Sequence, residues 1–131
     1  MRRESIAIII LAFSVIAADF PAPEPTKPDE PIAKKFSATK AAEYLDGVGV
    51  GWTRDRKCIT CHTNMPYLTA RPLLPGDEGW KEVRAFLEED VESWAKGGKP
   101  RGDAYVVATA FALAFNDSQK TGKLHPDTRT C

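Results

Sequence analysis

Two of the chain's three cysteines and one of its two histidines fall within five consecutive positions, Cys58-Ile59-Thr60-Cys61-His62. A C-x-x-C pair can serve as a redox dithiol with one acidified thiol, as half of a zinc site, or as a small disulfide. With a histidine directly after the second cysteine, it also matches the pattern by which c-type haem is attached. On a helical turn, two thiols at this spacing suit the two vinyl groups on neighbouring edges of a porphyrin. The adjacent imidazole then meets the iron from the same side, as a proximal ligand.

Each rival leaves something unexplained. A thioredoxin-like dithiol sits in a βαβ frame, and no alternation of strands and helices is legible here. A zinc set drawn from Cys58, Cys61, His125 and Cys131 must bridge the 63 residues between Cys61 and His125, far beyond finger spacings. A disulfide closing so small a loop stabilises little. One covalent haem c, bonded at Cys58 and Cys61 with His62 on the iron, uses all three residues.

The opposite face of the iron is less determined. Met65 follows His62 by three positions and would share its helical face, so it does not reach across the ring. His125 is the other histidine and the candidate distal ligand, with a solvated loop histidine as the plainer role. An open iron is the third outcome. Arg54, Arg56 and Lys57 precede the cluster. They could pair with haem carboxylates or meet an acidic partner, or form an ordinary solvated charge run.

The compartment bears on the cysteines. Arg2 and Arg3 precede an apolar run from Ile6 to Ala18 broken only by Ser14, ending in small residues. This is the layout of a signal peptide over residues 1–18. As a helix the run spans only about 20 Å, against roughly 30 Å of bilayer hydrocarbon, so no membrane span is expected after cleavage. Export to the periplasm or an equivalent compartment follows, where thiols tend to be oxidised or ligated. Without residues 1–18 the chain keeps 16 basic and 17 acidic residues. That balance gives no reason to expect nucleic acid or an anionic membrane as partner.

The elements that must hold the cluster read as all-α. Residues 19–35, with five prolines between Pro21 and Pro31, form an extended linker, and the folded part is 36–131. Ser37 caps a helix with Ala41, Tyr44, Leu45, Val48 and Trp52 at helical spacing. Gly47, Gly49 and Gly51 weaken that helix but allow close packing. Trp80, Val83, Leu87, Val91 and Trp94 mark an amphipathic helix closed by Gly97 and Gly98. Asp103 caps a buried helix over Tyr105–Phe115, and Pro126 starts a turn in the tail. With one more after Cys61, four helices are expected.

The run "GWTRDRKCITCHTNMPYLTARPLL" resembles the haem-bearing opening of exported, planctomycete-type bacterial proteins in which C-x-x-C-H precedes a squalene-cyclase-like α/α toroid. The likeness covers about residues 38–131. It rests on Trp52, Arg56, Lys57, the Cys58–His62 motif, Pro66, Tyr67, Arg71, Pro72, the helix after Trp80, and "LHPDTR". It implies a partial toroid of helical hairpins carrying haem, and carries over Cys58, Cys61 and His62 alone as functional residues. Cyclase catalysis does not carry over, since no D-x-D-D cluster is present and Gln119 is the single glutamine. Because such relatives continue past this length, the expected C-terminal helical surface is incomplete and open to a partner.

The sequence therefore predicts an exported c-type haem protein working in one-electron transfer with a redox partner the sequence does not name. A toroid-fragment binding module, with haem as sensor or structural staple, is the alternative. A peroxidase-type haem enzyme is the third.

Overall fold

A computed structural model of the chain describes residues 18–59 and 62–131. The signal peptide expected over 1–18 lies, through residue 17, outside the described residues, and so do Thr60 and Cys61. Five helices form among the described residues: α1 (Ala38–Arg56), α2 (Asn64–Ala70), α3 (Glu78–Ala95), α4 (Asp103–Lys120) and α5 (Pro126–Thr130), with a 3-10 turn at Arg71–Leu73. The all-α expectation holds, with one helix more than expected because the tail winds into α5 behind Pro126. No helix among the described residues is long and apolar enough to cross a membrane.

Helix α1 begins as its sequence indicates, Ser37 Oγ accepting from the Lys40 backbone N–H at 3.3 Å. It ends at Lys57, whose left-handed backbone (φ 48°, ψ 44°) turns the chain out of the helix. Of its three glycines, Gly49 has a clear packing reason. A Cβ there would stand 2.5 Å from the Tyr67 ring of α2. The Pro-rich stretch is not wholly solvated. Phe20 packs partly buried against the core, with the Arg54 guanidinium 5.6 Å from its ring centroid. From Glu24 to Phe36 the stretch is exposed, as a proline-rich spacer should be.

The stripe on α3 is buried at Trp80, Val83, Leu87 and Val91, while Trp94 is half-buried with its ring edge-on to Tyr105 at 5.9 Å. Gly97 takes φ 94°, letting the Gly98 N–H return to the Ser93 carbonyl at 2.9 Å and close the helix. Helix α4 differs from its expectation in two ways. Gly102 holds the cap position and Asp103 is the first helical residue, where its carboxylate still complements the helix N-terminus. Only one side of α4 is buried, at Thr109, Ala112, Leu113 and Asn116; Val107 is 67% and Phe111 50% exposed. The near-continuous apolar run hid that asymmetry.

Packing sets α1 on α3, α2 on α4 and α5 on α3. Val50, Leu68, Val83, Leu87 and Leu113 are fully buried between them, each contributing about 1.5–3 kcal/mol by the area it removes from water. An ion pair runs through this core. The Arg71 guanidinium donates to both oxygens of Asp46, at 2.7 and 2.9 Å. Tyr67 donates its hydroxyl to the same carboxylate at 2.6 Å. Arg71 also donates to the Leu74 and Gly76 carbonyls, so the buried charge is well satisfied.

Candidate functional site

The Cys58–His62 segment joins α1 to α2. Its described residues are not helical: 57–59 have no regular structure and His62–Thr63 form a turn. The helical turn expected for the motif is not seen at Cys58, Ile59 or His62, its described residues. The reason lies on both flanks, since Lys57 leaves the helical region at once and α2 starts only at Asn64. Asn64 is fully buried and donates to Thr53 Oγ1, which itself donates to the Gly49 carbonyl at 2.8 Å. The loop's far end is thereby fixed to α1.

Its near end is tied to α4. Arg101 Nη2 donates to the Lys57 carbonyl at 3.1 Å. The Ile59 N–H donates to the Tyr105 hydroxyl at 3.3 Å, and that hydroxyl donates to Asp90 at 2.6 Å. Burial, and then the bond to Asp90, push the Tyr105 phenol well above its ordinary pKa, so it keeps its proton and its donor role. Cys58, a half-buried free thiol, sits between these two anchors.

Beside the loop opens a cavity of about 650 Å³, within the size range of small-molecule and cofactor sites. Ile59, Ala104, Ala108 and the rings of Trp52 and Tyr105 give it apolar walls, and His62 and Arg101 also face it. No carboxylate lines it among the described residues. Trp52 Nε1 is buried and has no hydrogen-bond partner among the described residues.

The other residues singled out from sequence lie elsewhere. Met65 is packed partly buried against the core. His125 does not line the cavity that His62 lines; it borders a second one of about 530 Å³, with Trp80, Arg84, Glu88, Asp117 and Lys120. There His125 Nδ1 lies 3.1 Å from Asp127 and 3.8 Å from Glu88. The ligand atoms of these three come within 4.8 Å of one another, a set without a cysteine, and Glu88 Oε1 also accepts from Arg84 at 2.7 Å. Cys131 is exposed at the end of α5.

The basic triplet divides. Arg54 faces away, paired with both oxygens of Glu82 at 2.7 and 2.8 Å. Arg56 lies over the Trp52 ring at 5.4 Å, and Lys57 is the helix cap. Sequence reasoning missed Arg101, Tyr105 and Asp90. Nothing local marks them, because their link to the cluster exists only once α4 packs against the loop.

Comparison of the chain with protein-family models, curated proteins and solved structures gives no match.

Proposed function

We propose that this chain is an exported carrier of one covalent c-type haem and that its work is one-electron transfer. The observation that supports this most directly is the apolar cavity of about 650 Å³ lined by Ile59 and His62, residues from within the one C-x-x-C-H motif of the chain. Cys58 and Cys61 would hold the group through thioether bonds, and His62 Nε2 or Nδ1 would bind the iron. The absence of a carboxylate among the described lining residues and the flat aromatic walls fit a large apolar ring with polar edges. Bound there, the group supplies a metal that takes up and releases single electrons. The chain's part is to exclude water with Trp52, Ile59 and Tyr105, and to hold the attachment loop rigid through Arg101 and Tyr105.

His62 is the one imidazole among the described lining residues, and His125 is left out of the proposed ligand set. That favours, as a second reading, an open sixth position and a sensing or structural haem. The test is expression with haem-maturation machinery, followed by mass spectrometry and a pyridine haemochrome spectrum. A chain heavier by one haem is expected, with loss of the adduct in Cys58→Ala/Cys61→Ala. Haem still covalently attached in that variant refutes the proposal. Bands unmoved by carbon monoxide mark electron transfer; bands that shift mark the open-site reading.

A further inference from the structure

We propose that Arg101 binds the carboxylate end of the ligand in the cavity beside His62. This rests on the haem reading above and adds an orientation to it: the acidic edge of the ring lies toward the start of α4, and the apolar body lies against Ile59, Ala104 and Ala108.

Two observations carry it. First, Arg101 is the one permanently cationic side chain among the described lining residues of an otherwise apolar cavity with no carboxylate. Second, its guanidinium is already positioned. Nη2 donates to the Lys57 carbonyl at 3.1 Å, and the group lies 5.8 Å from the Tyr105 ring centroid. A guanidinium has five N–H donors in a planar fork; one bond to a carbonyl leaves others free, and a carboxylate is the acceptor that fork fits in bidentate fashion. The residues nearest the motif in sequence do not take this role: Arg54 is bound to Glu82, and neither Arg56 nor Lys57 is among the cavity-lining residues.

The test compares haem with its dimethyl ester, in which both carboxylates are masked. The full-length Cys58→Ala/Cys61→Ala chain is titrated with each, in the Arg101, Arg101→Lys and Arg101→Gln forms. Haem is expected to bind roughly tenfold more tightly than the ester, as a charge-assisted bond predicts. Arg101→Gln should bring the ratio toward unity, and Arg101→Lys should retain part of it. If Arg101 merely braced the loop through Lys57, its replacement would weaken both ligands alike and leave the ratio unchanged; that result overturns the inference. Equal binding of haem and ester by the Arg101 form overturns it too, while leaving the haem reading intact. Binding of neither, together with no attached haem in the native chain, removes the reading and the inference with it.

Discussion

Asp46 and Arg71 are 6% and 3% exposed, and removing one member of such a pair strands the other charge away from water. Asp46→Ala is expected to lower stability by about 3–5 kcal/mol, measured as the urea unfolding midpoint, and to free the Tyr67 hydroxyl as well. A loss below about 1 kcal/mol would mean water reaches Arg71. The glycines of α1 give a second contrast. Gly49→Ala drives a methyl into the Tyr67 ring and should cost about 1–3 kcal/mol. A Cβ on Gly51 meets nothing within 4 Å, so Gly51→Ala should gain about 1 kcal/mol from helix propensity. The two residues look equivalent in the sequence, and only the position of Tyr67 separates them.

Among the elements, α5 is the shortest and depends most on side-chain bonds. Asp117 of α4 accepts from Thr128 Oγ1 at 2.6 Å and the His125 N–H at 2.7 Å, and pairs with Arg84 of α3 at 2.7 Å. Burial alone would raise its pKa, but these bonds and the Arg84 charge hold it below the usual aspartate value. The unfolded chain therefore takes up this proton first as pH falls. Stability from Asp117 is fully present above about pH 3.9 and is lost as pH drops through the lower folded value. Urea midpoints followed from neutral pH down through the carboxylate range should show this decline, and Asp117→Asn should flatten it. A midpoint equally steep in Asp117→Asn would place the acid sensitivity elsewhere.

For the molecule as a whole, the outer side of α4 is the open question of surface. Val107 and Phe111 are exposed, and Phe111 stacks on Phe115 at 6.0 Å, an apolar stretch of the sort partners cover. Val107→Lys should leave the unfolding midpoint within about 0.5 kcal/mol, as surface substitutions do. A much larger loss, or one that depends on protein concentration, would show that this face is covered in solution.

The sequence by itself determined what depends on residues near one another along the chain. That covers the C-x-x-C-H cluster, the Ser37 cap, the buried stripe of α3, the Gly97–Gly98 stop and the turn that starts at Pro126, all local in dihedral preference or periodicity. Tertiary structure alone decided how the cluster is held. Arg101 reaches Lys57 across 44 positions and Tyr105 reaches Ile59 across 46; packing brings them together, and no spacing rule spans that distance. It also sent Arg54 to Glu82, seated Phe20 on the core and placed His125 against Glu88, because side chains answer to whatever charge or surface the fold sets opposite them.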